Sequence, residues 1–164
     1  MADDPVFEKA RQMAFRLLSL RGRSTKEIRS KLREQKFEEP VINRVINRLL
    51  KDRYLDDAAF ARDWARSLAE NRLYGNRRIE MSLIEKGIAG GLIKETIAGV
   101  RKERPEREAL EAVIRKKLKD RKLGDLDRRE RQRLARSLMG RGFPAGLVFE
   151  MFRITEEGSF DERE

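Results

Sequence analysis

Leu32-Arg33-Glu34-Gln35-Lys36-Phe37 decides how the chain is read, because two later stretches repeat its pattern: Leu83-Ile84-Glu85-Lys86-Gly87-Ile88 and Leu138-Met139-Gly140-Arg141-Gly142-Phe143. The spacing is about 50 residues, a period typical of repeat architectures. The registration continues into the residues that follow, through Val41/Leu92/Leu147, Ile42/Ile93/Val148 and Ile46/Ile97/Phe152. All of these are apolar, as expected if each position fills the same place in the small core of its own unit.

Reading outward from the first copy gives a plan of three helices. Phe7, Ala10, Met13, Ala14, Leu17 and Leu18 recur at helical spacing until Arg21-Gly22-Arg23 interrupts them. Ser24 and Glu27 have the spacing of a capping box, in which hydroxyl and carboxylate satisfy amides at a helix start, and Ile28 and Leu32 follow on one face. Pro40 suits a first helical turn, and Val41, Ile42, Val45, Ile46 and Leu49 form the stripe of a third helix.

The second copy follows the same order. Asp56 or Asp57 caps a helix carrying Phe60, Trp64 and Leu68; Gly75 breaks it; Ile79 and Leu83 mark a short successor stopped by Gly87. Leu92, Ile93, Ile97 and Val100 continue as the third helix, and Pro105 opens the last unit. The expected fold is therefore all-α, with three-helix repeats over 1–54, 55–103 and 104–157 and a polar, disordered tail over 158–164. Each repeat is too small to bury much surface alone, so it is expected to lean on its neighbour in an elongated, curved molecule.

Composition narrows the function. The 164 residues are 41% charged and 39% hydrophobic, which leaves each helix only a stripe to bury. Lys and Arg number 39 against 29 Asp and Glu, a formal charge of +10 that favours polyanionic partners through counterion release, nucleic acid first among them. Interspersed charge of this kind also makes solvated faces laced with ion pairs. The absence of cysteine and histidine excludes disulfides, thiolate chemistry and any imidazole base, along with structural zinc sites built on those ligands. No apolar run approaches the roughly 18 residues of a membrane span, and Met1-Ala2-Asp3-Asp4 lacks the basic start of a secretory signal, so a cytoplasmic protein is expected.

Arg21-Gly22-Arg23-Ser24-Thr25-Lys26-Glu27-Ile28, followed by Lys31-Leu32, resembles the R-x-R-S-x-x-E-L signature of the RecX family, negative regulators of the RecA recombinase. Tyr54-Leu55-Asp56-Asp57 with Phe60-Ala61 is similar to the family's G-Y-L-D-D-x-x-F-A segment, with Arg53 standing where the family usually has glycine. Gly75-Asn76-Arg77-Arg78-Ile79, Leu83 and Lys86-Gly87-Ile88 are similar to a third family segment. The resemblance implies tandem three-helix repeats that lie along the groove of a RecA filament on DNA. It further implies inhibition by binding, either through occupation of the groove, which blocks strand exchange, ATP hydrolysis and repressor cleavage, or through limited filament growth. The expected protein is not an enzyme, needs no cofactor or metal, and is a monomer, with single- or double-stranded DNA present in the complex.

Three basic groups are candidates for the contact. Arg21, Arg23, Lys26 and Arg29 surround the junction of the first two helices, where they can converge on phosphate or carboxylate; equally, they can cap the first helix's carbonyls. Arg72, Arg77 and Arg78 flank Gly75 in roughly the same place of the second repeat. Residues 101–142 hold 16 Lys and Arg against 8 Asp and Glu, with Arg115, Lys116 and Lys119 closely spaced; the segment reads as a DNA-facing surface or as a long exposed helix.

Two other functional classes compete. A stand-alone DNA-binding protein is suggested by Asn43, Arg44, Asn47 and Arg48 on the polar face of the third helix, whereas Leu92 to Val100 offers little for reading bases. An enzyme on nucleic acid finds no phosphate-binding G-x-x-x-x-G-K-[ST] loop, and only Asp56 and Asp57 stand as adjacent carboxylates, better explained as a helix cap and a first-turn acid. Tyr54 reads as a packing residue at a module boundary, and Phe60 and Trp64, four residues apart, read as core.

Overall fold

A computed structural model describes residues 4–158. Nine α-helices, a short 3-10 turn and no strand occur among the described residues: α1 Pro5–Leu20, α2 Thr25–Glu34, α3 Glu39–Lys51, α4 Asp57–Glu70, α5 Asn76–Glu85, α6 Gly90–Glu103, α7 Glu106–Leu118, the turn Leu123–Asp125, α8 Arg128–Gly140 and α9 Ala145–Gly158. They form three consecutive sets of three. Gly158 ends α9, and the rest of the expected disordered tail lies outside the described residues.

The stretch that sets the period is a helix stop written three times. In each copy the residue after the left-handed position donates back to the residue five before it, Phe37 N to Leu32 O at 3.2 Å, Ile88 N to Leu83 O at 3.1 Å and Phe143 N to Leu138 O at 3.3 Å. Nested inside these are Lys36 N to Arg33 O, Gly87 N to Ile84 O and Gly142 N to Met139 O at 3.0, 2.9 and 2.9 Å. This pair of bonds, closed by an apolar residue, is the Schellman arrangement that satisfies the last carbonyls of a helix. It needs a positive φ, found at 65° for Lys36, 79° for Gly87 and 95° for Gly142. Glycine supplies that conformation freely in two copies; Lys36 adopts it at a cost.

The described residues divide into two compact units, 4–64 with 83–96 and 65–82 with 97–158, so α4, α5 and α6 each contribute to both. In the first unit, Ala10 and Ala14 of α1, Ile28 and Leu32 of α2, and Ile42, Val45, Ile46 and Leu49 of α3 make one buried cluster, joined by Leu55. Asp4 starts α1 earlier than the apolar pattern alone predicts: its carboxylate accepts from Val6 N at 3.1 Å, and Pro5 occupies the first turn. Ser24 and Glu27 form the expected capping box, and Pro40 lies in the first turn of α3.

In the second unit Ala109, Leu110, Val113 and Ile114 of α7 pack with Leu134, Ala135 and Leu138 of α8 and with Phe143, Val148 and Met151. The long-helix reading of residues 101–142 is corrected here. Lys119, at φ 54°, ends α7, and the turn at 123–125 inserts Leu123 and Leu126 into the core before Asp127 caps α8. Burying those two leucines requires the chain to leave the helix.

Candidate functional site

The basic corners read from the sequence are joints between repeats, and each joint lies within one unit. In the first, the helix stop of α5 docks on the start of α2. Ser24 Oγ accepts from Glu27 N at 3.2 Å and donates to Lys86 O at 2.7 Å, while Thr25 N donates to Asp57 Oδ1 at 2.7 Å. Lys26 Nζ reaches Glu85 O at 3.0 Å. Gly87 lies so close that a Cβ there would fall 2.6 Å from Lys26 Cβ.

Glu27 is the electrostatic centre of this joint. It accepts from Arg21 at 2.8 Å, Lys86 Nζ at 2.7 Å and its capping partner Ser24 N at 3.0 Å. Burial opposes its ionisation, but these donors overcome burial and hold its pKa down to about 2. Its carboxylate in turn raises the Arg21 pKa. Lys86 also lies over the Trp64 ring, 4.7 Å from its centroid, and Trp64 stacks on the buried Phe60.

The second joint repeats the backbone plan and changes the charge. Gly75 stands where Ser24 stood, and its N–H donates to Arg141 O at 2.9 Å; Arg77 N donates to Gly142 O at 3.2 Å. Asn76 N donates to Glu106 Oε1 at 2.7 Å, as Thr25 N does to Asp57. A side chain at position 75 would put its Cβ 2.3 Å from the Gly142 carbonyl carbon, so the approach admits only glycine. At the position of Glu27 this joint has Arg78.

Consequently Arg78 and Arg141 have no ion pair among the described residues. Arg78 and Arg141 both lie against the Tyr74 ring, at 5.3 and 5.5 Å. Arg141 donates to Arg72 O, and its Nε is buried with no partner among the described residues. Arg101 fastens the underside, donating to Tyr74 O at 2.7 Å and Asn76 Oδ1 at 2.6 Å; burial lowers its pKa. Arg72, Arg77 and Arg78 are exposed, and none is ion-paired with a described residue.

The remaining candidates divide similarly. Arg23 donates to Leu17 O at 3.2 Å, capping α1, and Arg29 donates to Asn43 Oδ1 at 2.6 Å and Glu39 at 3.4 Å. Arg115, Lys116 and Lys119 are exposed at the C-terminal end of α7, where cations complement the helix dipole. On α3, Arg44 pairs with Asp4 at 2.7 Å and Arg48 with Asp52 at 2.6 Å, so little of that polar face is left to read bases. Asp56 caps α4 through Ala59 N at 2.9 Å, whereas Asp57 serves the joint. Tyr54, 57% exposed, meets Phe15 edge-on at 4.7 Å.

Sequence reasoning located the basic corners and missed what completes them: Asp57, Lys86, Arg101, Glu106 and Arg141. The repeat alignment carries a signal for one pair, since Lys86 and Arg141 occupy the same place in successive helix stops. Among the described residues no group of three or more acidic side chains is placed to hold a metal, and no helix is long and apolar enough to cross a membrane.

Three family models match the chain in order: the first three-helix domain of RecX over residues 10–49, the second over 56–97 and the third over 105–152. A regulatory protein RecX from Mycobacterium sp. (strain KMS) is 31% identical over 95% of this chain and 86% of its own length. One from Mycobacterium ulcerans (strain Agy99) is 33% identical over 88% of this chain and 83% of its own. The crystal structure of RecX from Lactobacillus salivarius matches with a TM-score of 0.79 at 22% identity, covering 93% of this chain and 97% of that one. A second crystal structure, of a regulatory protein RecX, matches at a TM-score of 0.76 and 26% identity over 90% of this chain and 71% of that one. With all three of its three-helix sets matched in order, the chain belongs to the RecX family.

Proposed function

We propose that this protein is a negative regulator of RecA that binds the RecA–DNA filament and inhibits its recombinase, ATPase and coprotease activities. Family membership supports a regulatory role. The observation that carries the contact is the pair of joints: Glu27 draws Arg21 and Lys86 into ion pairs in the first, while Arg72, Arg77 and Arg78 of the second are exposed and form no ion pair with a described residue. A filament on DNA offers both phosphates and carboxylates to such a surface, and arginine recognises either by paired hydrogen bonds. In this reading the protein acts by occupying the groove or limiting growth. It performs no chemistry itself, needs no cofactor, and works as a cytoplasmic monomer with DNA held in the same complex.

The test is DNA-stimulated ATP hydrolysis by the RecA of the same cell, titrated with this protein at fixed salt beside its binding to bare DNA. Inhibition well below the concentration that coats bare DNA is expected. Arg77→Glu/Arg78→Glu should weaken it about tenfold or more, with the circular dichroism unchanged. Inhibition that begins only once free DNA is coated would instead make this a stand-alone DNA-binding protein, a reading that the exposed Arg115, Lys116 and Lys119 favour.

A further inference from the structure

The second unit holds a groove of about 620 Å³ that the repeat joints do not use. One wall is α8, whose Arg128, Arg131, Gln132, Ala135, Arg136 and Met139 recur at i, i+3, i+4, i+7, i+8 and i+11, a single helical face. The other is α9, which supplies Phe149 and Phe152. The floor, with Leu126 beneath, is apolar, and Phe149 is 55% exposed, a large ring with only part of its surface covered. The rim is strongly basic. Between Arg128 and Arg136 the helix carries five arginines and one carboxylate, Glu130, and Arg121 engages that carboxylate at 2.9 and 3.0 Å. Arg128, Arg129, Arg133 and Arg136 are exposed and form no ion pair with a described residue.

We infer that this groove is a docking site for an acidic amphipathic helix presented by a protein partner. Charge complementarity selects an acidic ligand. The shape selects a helix, because the stripe runs straight for roughly 16 Å along α8, about three turns of a partner lying lengthwise between two helices. Leucine-sized anchors at i, i+4 and i+7 would meet Phe149, Met139 and Phe152, the thioether adapting to their shape, while carboxylates at the flanks face the arginines. A nucleic-acid strand suits the groove less well: a single strand binds through successive exposed aromatic platforms, and of the two rings here only Phe149 is exposed, Phe152 being half-buried against the core. The site stands apart from the filament reading, and its test uses no recombinase.

The probe is a fluorescein-labelled Glu- and Ala-based helical peptide of about 15 residues with three leucines on one face, titrated with the full chain and read by anisotropy. A peptide of equal charge with the leucines replaced by serine, and an oligothymidylate, are run beside it. The leucine peptide is expected to bind about tenfold tighter than the serine peptide. Phe149→Ser should erase that difference, and Arg128→Glu/Arg136→Glu should abolish binding of both peptides; these side chains are exposed, and circular dichroism checks that the fold is kept. Equal affinity for the two peptides would overturn the inference. So would oligothymidylate binding that disappears with Phe149→Ser, which makes the groove a nucleic-acid site, or self-association removed by the same change, which makes its occupant a second copy.

Discussion

Replacing Glu27 by Gln removes one charge from the first joint while keeping the side chain's shape. Three donors converge on that carboxylate, from Arg21, Lys86 and Ser24. The side chain is 15% exposed, so solvent screens it little. A carboxyl held near 2 rather than at the ordinary 4.5 corresponds to roughly 3 kcal/mol of folding free energy. Glutamine accepts hydrogen bonds but presents no charge, so we expect the variant to be about 2–3 kcal/mol less stable at pH 7. The sign fixes the pH window. Because the folded-state pKa is depressed, the contribution is fully present above 4.5 and is lost as pH falls towards 2. Urea unfolding followed by Trp64, the single tryptophan, should give a wild-type advantage at pH 7 that shrinks below pH 4.5 and vanishes near 2. The other carboxylates are common to both chains and cancel in the difference. A gap below about 0.5 kcal/mol at pH 7, or one that persists undiminished to pH 2, would refute the assignment of Glu27 as the joint's electrostatic centre.

Lys36→Gly should stabilise the chain by about 0.5 kcal/mol, the relief of a left-handed lysine less the added freedom of the unfolded glycine, measured as a shift in the urea midpoint. Gly87→Ala should cost about 2–3 kcal/mol in the same assay, since the new methyl meets both a positive φ of 79° and Lys26 Cβ at 2.6 Å. Charge reversal at Arg115, Lys116 and Lys119 should weaken binding to bare duplex DNA and flatten its dependence of log K on log salt by about 0.9 for each phosphate no longer neutralised; an unchanged slope would leave the end of α7 facing solvent.

What was legible in the sequence was local. Ser24 with Glu27, Pro40 and Gly87 signal their helix ends through chemistry confined to a single turn, and the structure puts caps and stops at those residues. The break between α7 and α8 was not legible, because its left-handed residue is Lys119 and no residue type announces that conformation there. The burial of Leu123 and Leu126 that enforces it belongs to the packed core. The basic corners were found as clusters, but which cations are engaged depends on partners far along the chain: Lys86 reaches Glu27 across 59 residues and Glu106 reaches Asn76 across 30. Periodicity aligns equivalent residues without saying what each one touches.

The two joints share one backbone plan and solve its electrostatics in opposite ways. Where Glu27 is present, Arg21 and Lys86 are drawn into the joint, and their charge is used up in holding it together. Where Arg78 replaces it, the like charge of Arg141 makes the same arrangement unfavourable, so the contact is held without that ion pair. It is held by the close backbone approach of Gly75 and Gly142, by Arg101 on the Tyr74 and Asn76 oxygens, and by the face of Tyr74, which both arginines approach. A joint fastened by backbone contact leaves its cations for other ligands. The same reasoning separates the two sites mutationally: charge changes in the first joint should act chiefly on stability, whereas charge changes at Arg77 and Arg78 should act chiefly on binding, with only the ring contact of Arg78 lost from the second joint.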